Sequence, residues 1–371
     1  MSKKKKIVIA AGGSGGHLYP AIGLAKQLLS NRKDLELLFI ASGLETNPFF
    51  DQKQFPYRSI SAGTFRGWSI GSALGACKNI AFGYVQSRKI LQAHQPDLVI
   101  GFGSYHTFPL LLAASSKGYP IALHEQNSTP GRVIRYFSDK ALVTGVYFSS
   151  AIPKLKGKSV QLAMPLREGY QKGNGTKEHA YRYFNIDPTK VTVLVFGGSQ
   201  GAQFINRIVS ETLVRLQNEK MQFQVLHFTG NLADPRELQE LYAHHGIHAV
   251  VKKYEECMEL AWQVSDFCIT RSGAGTIAEQ LEFEVPGILI PYPHSADGHQ
   301  DSNADFFVNV AGGGWKYSEK ELNVIVLEGI CRKLFDKACP LLKEKSANLL
   351  NYRQQSCKRE FVSIINEILE K

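Results

Sequence analysis

The chain has 371 residues, 44% of them hydrophobic and 20% charged, a size and balance that suit a globular protein of two domains. No stretch approaches the roughly 18 uninterrupted apolar residues of a membrane span, and the run 7–11 behind four lysines is too short for a signal-peptide core, so the chain is expected to stay in the cytosol. The net charge of +10 comes without a zinc-finger or RNA-recognition signature, which argues against nucleic acid and leaves solubility, an anionic membrane surface or a phosphate-bearing substrate.

Residues 6–11 form an apolar run that breaks into Gly12-Gly13-Ser14-Gly15-Gly16. Residues 18–29 follow at helical spacing, with Leu18, Ile22, Ala25 and Leu29 on one side. A strand is predicted over 36–40. No acid ends it, and the glycine turn does not spell G-x-G-x-x-G, which argues against a nicotinamide dinucleotide. Residues 67–88 mix Trp68, Ile70, Leu74, Ile80, Phe82 and Val85 with Arg66, Lys78, Arg88 and Lys89. This is either a core helix with snorkelling ends or an apolar patch with a basic rim. In the second reading Trp68, Ile70, Leu74, Lys78 and Phe82 would dock on anionic lipid.

Residues 97–100 run into Gly101-Phe102-Gly103-Ser104, and strands are predicted over 121–124 and 141–144. A seam is placed near 163–167, followed by a polar stretch over 171–176, dividing the chain into 1–165 and 166–345. The opening pattern then repeats: 192–196 breaks into Gly197-Gly198-Ser199-Gln200-Gly201 ahead of a helical segment over 202–216. Strands are predicted over 224–228, 248–251 and 287–291, and the strand 266–270 turns into Arg271-Ser272-Gly273-Ala274-Gly275. The segment 343–371 is helical in its spacing. It either closes the second domain or, from about 346, packs back on the first. The whole reads as two doubly wound α/β domains with parallel sheets covered on both faces.

In an open parallel sheet ligands sit beyond the carboxyl ends of the strands, where glycine turns bring amides and a helix N-terminus to an anion. Two such turns at matching places point to a phosphate or sugar-phosphate ligand. His17 opens a helix, whose dipole favours the neutral imidazole that a general base needs. His124-Glu125-Gln126-Asn127 leaves a strand on the same edge and suits a polyhydroxylated substrate. Glu279, one turn into a helix behind Ser272-Gly273-Ala274-Gly275-Thr276, suits a ribose diol. In the loop 291–301, His299 and Gln300 suit sugar hydroxyls better than a metal. The six cysteines form no CxxC pair, and neither a metal nor a cofactor is expected.

Together these motifs resemble the MurG family of glycosyltransferases, over nearly the whole chain and in order. They are Gly12 to His17 with Pro20, Gly101 to Tyr105, His124-Glu125-Gln126-Asn127, Pro165 to Arg167, Gly197 to Ala202, Ser272 to Glu279, and His299-Gln300 with Asn303-Ala304. The resemblance implies GT-B architecture, two Rossmann-like domains facing a central cleft, and a metal-independent inverting transfer of N-acetylglucosamine. The donor would be UDP-N-acetylglucosamine, and the acceptor undecaprenyl-diphosphate-linked muramyl-pentapeptide.

It further implies that Tyr254 and the backbone of Glu255 meet uracil, Glu279 the ribose, and Ser199, Gln200, Gly275 and Thr276 the diphosphate. Asn127, Ala274, His299 and Gln300 would address the sugar, with Arg167 closing on the nucleotide. Ser14, Gly15 and Gly16 count towards the donor, and Gly13, Gly15, Gly16, Gly103, Ser104 and Tyr105 towards the acceptor diphosphate. The base is His17 or Glu125. A peripheral place on the inner face of the plasma membrane is implied, with other cell-wall and division proteins as possible partners. Transfer to another lipid such as diacylglycerol, a non-catalytic UDP-sugar sensor and an epimerase are the rival readings.

Overall fold

The computed structural model describes residues 4–63, 70–163, 166, 172, 176–198, 201–231, 233–356 and 359–370, without the side chains of 70–73 and 296. Its contacts divide into two compact units, Met1–Pro165 with Cys357–Lys371, and Leu166–Ser356.

The first unit holds seven strands: β1 (Lys5–Ala10), β2 (Leu35–Ala41), β3 (Tyr57–Ser59), β4 (Leu98–Gly101), β5 (Ile121–Glu125), β6 (Val143–Val146) and β7 (Ser159–Gln161). All pair in parallel in the order β3-β2-β1-β4-β5-β6-β7. The second unit holds β8 (Val191–Phe196), β9 (Phe223–Phe228), β10 (Ala249–Lys252), β11 (Phe267–Thr270), β12 (Gly287–Leu289) and β13 (Gly314–Lys316). These too are parallel, in the order β10-β9-β8-β11-β12-β13. Each order reverses beside the unit's first strand, between β1 and β4 and between β8 and β11. That reversal is where adjacent connections leave to opposite faces and open a crevice.

The strand sequences explain the layering. Along β1, Ile7 and Ile9 join the core on one face, and Val8 and Ala10 the core on the other. Along β8, Val191, Val193 and Val195 pack on one face, and Leu194 and Phe196 on the other. A strand buried on both sides reads as a continuous apolar run, and these are the strands the sequence made plain. The strands β3, β7 and β13 were not predicted. They are three residues long, mostly half-exposed, and lie at sheet edges.

The C-terminal segment is two helices with different allegiances. Pro340–Gln355 stays with the second unit, burying Leu342 and Leu349 and hydrogen-bonding Ser346 Oγ to the Glu284 carbonyl at 2.8 Å. Phe361–Leu369 belongs to the first unit, where Phe361, Val362, Ile364, Ile365 and Leu369 enter the core beside β1 and the helix Gly15–Asn31. The amide of Ala163 donates to the Arg359 carbonyl at 3.0 Å and fixes the return. Gly145 in β6 leaves the room for it, since a Cβ there would stand 3.1 Å from the Phe361 ring. Burying each such side chain is worth about 1.5–3 kcal/mol, so this short helix closes the apolar face of the unit.

Ile365 is fully buried in that contact. Replacing Ile365 by Ala is expected to destabilise the first unit by about 2–5 kcal/mol in denaturant titrations. An unchanged midpoint would show that the helix is not a structural part of it.

Candidate functional site

At the carboxyl end of β1 the chain turns through Gly12, Gly13 and Ser14 into the helix Gly15–Asn31. Gly13 has φ +86°, and a Cβ there would stand 2.9 Å from Ser104 Oγ, so both backbone and space demand glycine. The turn is held from outside: Asn47 Nδ2 donates to the Gly13 carbonyl at 2.7 Å. Ser42 Oγ and His106 Nδ1 lie 2.6 Å apart. The turn after β4 lies beside it. Gly103 has φ +84° and Ser104 φ +73°, a backbone region ordinarily left to glycine and costing other residues about 1–3 kcal/mol. Strain of that kind is kept where a chain needs a particular loop shape.

His17 sits in the first turn of its helix, with Nδ1 2.8 Å from the Phe102 carbonyl and 2.9 Å from the Gln126 side-chain amide. His124, Glu125 and Gln126 at the end of β5 are all buried, and here the structure departs from the sequence reading. His124 is wedged between the rings of Phe102 and Phe361, with centroids 5.0 and 5.5 Å away. Burial, and then the charge of His17, push its pKa down to about 3. Glu125 turns inward to organise its own loop. Its Oε1 accepts from the Asn127 amide at 2.8 Å and from Asn127 Nδ2 at 3.2 Å, and its Oε2 from the Gly131 amide at 2.8 Å. Burial outweighs those bonds and pushes its pKa up to about 7. The polar run therefore builds the site's wall, and packing explains most of it.

In the second unit β8 ends in Gly197 and Gly198 (φ +83°), and β11, its neighbour, ends before Arg271-Ser272-Gly273 and the helix Ala274–Phe283. Both turns lie at the point where the strand order reverses. Ser272 is buried and donates from Oγ to the Gln300 carbonyl at 2.6 Å. Asn303 Nδ2 donates to the Ser272 carbonyl at 3.2 Å, and Gln300 Oε1 accepts from the Tyr292 amide at 2.9 Å. These bonds bring His299, Gln300 and residues 272–276 into one cluster at the amino ends of two helices, although 23 or more residues separate them in the chain.

Three residues of this unit had no assigned part. Trp262, buried in the core, donates from Nε1 to Glu279 Oε2 at 2.9 Å and fixes that carboxylate. Arg271 pairs with Glu319 at 2.5 Å and donates to the carbonyls of Ile290 and Pro291. Asn303 ties the two loops. Arg271 and Asn303 stood within quoted motifs without a part of their own; Trp262 lies 17 residues from its partner and carried no signal. Tyr254 is well exposed, whereas the Glu255 side chain turns inward. It binds Lys252 Nζ at 2.7 Å, Tyr183 Oη at 3.0 Å and the Cys257 amide at 2.9 Å. Burial would raise its pKa, but those partners prevail and hold it below the usual range.

Of the other sequence candidates, Arg167, Ser199, Gln200 and Trp68 lie outside the described residues, as does the side chain of Ile70. The helix Ile70–His94 is two-faced. Ala76, Gly83, Ser87 and Leu91 face the protein, while Leu74, Phe82 and Val85 stand exposed beside exposed Lys78, Arg88 and Lys89. The large apolar side chains of Leu74, Phe82 and Val85 are thus not core, and the segment's buried face is made of small residues and Leu91. No helix among the described residues is long and apolar enough to cross a membrane, and no described cluster of three or more His, Cys, Asp or Glu could hold a metal.

Comparison with known proteins agrees with this geometry. Models of the glycosyltransferase family 28 N-terminal and C-terminal domains match residues 7–146 and 192–364. The UDP-N-acetylglucosamine–N-acetylmuramyl-(pentapeptide) pyrophosphoryl-undecaprenol N-acetylglucosamine transferase of Protochlamydia amoebophila (strain UWE25) is 44% identical over 344 residues, 92% of this chain and 90% of that one. The enzyme of the same name from Chlamydia felis (strain Fe/C-56) is 35% identical over 373 residues, covering 100% of both. Among solved structures, Acinetobacter baumannii MurG superposes with a TM-score of 0.76 at 23% identity, over 99% of this chain and 100% of that one, a likeness of fold. The two parallel-sheet units are those of the GT-B architecture.

The buried histidines predict a pH dependence. In the second unit His227 is fully buried, with Nδ1 2.9 Å from Tyr242 Oη, and burial pushes its pKa from 6.5 down to about 3. The unfolded chain takes up that proton below about pH 6.5 and the folded one does not. Stability is therefore complete above 6.5 and is lost as pH falls from 6.5 towards 3. In the first unit His124 acts in the same sense, but Glu125 acts oppositely, losing stability as pH rises towards 7. Denaturant titrations at pH 7 and pH 5 should show the loss for the second unit, and His227→Gln should flatten it. Equal slopes in both proteins would contradict the assignment.

Proposed function

The chain belongs to the family of UDP-N-acetylglucosamine–N-acetylmuramyl-(pentapeptide) pyrophosphoryl-undecaprenol N-acetylglucosamine transferases, the MurG family, and from that premise we propose that it performs this transfer in peptidoglycan synthesis. The observation that carries the reading is the pair of glycine turns, each leading from the carboxyl end of a unit's first strand at the reversal of strand order. One unit then serves a diphosphate donor and the other a diphosphate acceptor.

On this reading UDP lies on the second unit. Exposed Tyr254 and the Glu255 backbone serve uracil, Glu279 the ribose hydroxyls, and Gly275 and Thr276 the diphosphate at a helix N-terminus. Ala274, His299, Gln300 and Asn127 address the sugar. Ser199, Gln200 and Arg167 join the donor set by resemblance. The acceptor diphosphate is assigned to Gly13, Gly15, Gly16, Gly103, Ser104 and Tyr105, while Ser14 stays in the donor set by resemblance. His17 takes the proton of the acceptor hydroxyl, which attacks the anomeric carbon opposite UDP with inversion. Two facts favour His17 over Glu125: both Glu125 oxygens already accept amide hydrogens, and its protonated form is favoured by burial. Amides and helix N-termini stabilise the departing diphosphate without a cation.

The exposed apolar face of Ile70–His94, with its basic neighbours, supports docking on an anionic membrane surface on the cytoplasmic side.

Labelled UDP-N-acetylglucosamine with lipid-linked muramyl-pentapeptide is expected to give a β-linked product in the presence of EDTA. A strict divalent-metal requirement, or transfer only to diacylglycerol, overturns the assignment. His17→Ala should lower turnover by about 10²–10⁴-fold while UDP still binds, an outcome that also excludes a non-catalytic sensor. Leu74→Glu with Phe82→Glu should abolish flotation with vesicles containing anionic lipid and leave turnover in detergent intact; unchanged flotation would remove the membrane surface from this helix.

A further inference from the structure

The surroundings of His17 contain a contradiction that chemistry resolves. The Phe102 oxygen, 2.8 Å from Nδ1, can only accept, so Nδ1 carries the ring proton. Gln126 Nε2 stands 2.9 Å from the same atom, which would set donor against donor. Meanwhile Gln126 Oε1 is buried with no hydrogen-bond partner among the described residues. Exchanging oxygen and nitrogen of that amide leaves the side chain's shape unchanged and relieves the clash. The side-chain oxygen then receives the Nδ1 proton alongside the Phe102 carbonyl, in a three-centre bond. Gln126 is 3% exposed, so it has little freedom to leave this position.

We propose that Gln126 is a positioning residue for His17: its side-chain oxygen and the Phe102 carbonyl share the Nδ1 proton, fixing the ring and leaving the lone pair on Nε2. Its catalytic consequence rests on the reading of His17 as the base, but the tautomer does not. The orienting group is a neutral amide, whereas a carboxylate there would favour the imidazolium and spend the base at neutral pH. The titratable groups on the elements packed around the ring are His124 and Glu125 on β5, Tyr105 and His106 after Gly103, and Arg132 and Arg135 on the following helix. All stay unaltered in the comparison below, so their influence is common to both proteins.

The test uses the full chain with ¹⁵N-labelled histidine, the His17 ring signals being assigned by their loss in His17→Ala. The neutral wild-type ring is expected as the Nδ1–H tautomer. In Gln126→Glu its titration midpoint should rise by about one unit or more. In Gln126→Asn, too short to reach, kcat should fall about 10-fold with KM for UDP-N-acetylglucosamine within about 2-fold. An Nε2–H tautomer in the wild type or an unmoved midpoint in Gln126→Glu overturns the proposal, the tautomer deciding it if Gln126→Glu fails to fold; an unchanged kcat in Gln126→Asn beside the expected tautomer overturns its catalytic consequence. A raised midpoint without a matching shift in the acid limb of kcat/KM upholds Gln126 as the orienting group and overturns His17 as the base.

Discussion

Both units depend on one constraint: a parallel sheet sends every strand's carboxyl end to the same edge, and its central strand can satisfy its backbone only inside the sheet. β1 and β8 accordingly pair on both sides and bury nearly every side chain. The peptide amides that emerge beyond them are the first without a strand partner. In each unit they emerge where neighbouring crossovers diverge, so a helix N-terminus and a glycine turn meet at an open edge. The proposal that each unit takes a diphosphate rests on that geometry before any side chain is considered.

The same constraint explains what was legible in the sequence. Central strands are apolar throughout and end in glycine, so 6–11, 97–100, 192–196 and 266–270 were found to within a residue or two of β1, β4, β8 and β11. The strands β3, β7 and β13 have one covered flank and three residues each, too little to make a pattern. The two turns were legible because the positive φ of Gly13 and Gly198 favours glycine. Ser104, which holds φ +73° without being glycine, hid the same need in the neighbouring turn.

Side-chain direction was the harder matter. A polar run leaving a strand looks like a set of ligands, yet His124, Glu125 and Gln126 all turn inward. Their partners come from Phe102, Gly131, Phe361 and His17, residues that no local spacing connects. Trp262 and Glu279 are another such pair, and Glu255 a third case, its carboxylate drawn to Lys252 and Tyr183. The exposed Leu74 and Phe82 show the converse. Helical spacing identified the segment, but small residues at 76 and 83 face the protein and the large ones face away.

These inward residues divide the electrostatic labour around His17. A carboxylate near an imidazole normally stabilises the charged ring, and Glu125 is the residue next to Gln126. Its oxygens are turned onto the amides of Asn127 and Gly131, and burial outweighs those bonds and favours its protonated form, which weakens its influence as a charge. His124, also beside the ring, is held neutral by burial between two phenylalanines. Two partners of His17 Nδ1 are a carbonyl and an amide side chain, both uncharged. A neutral imidazole whose proton is fixed on Nδ1 presents its lone pair on Nε2, the form in which the proposed base would accept a proton. The burial that turns His124-Glu125-Gln126 away from solvent makes it a wall behind His17, the base proposed above.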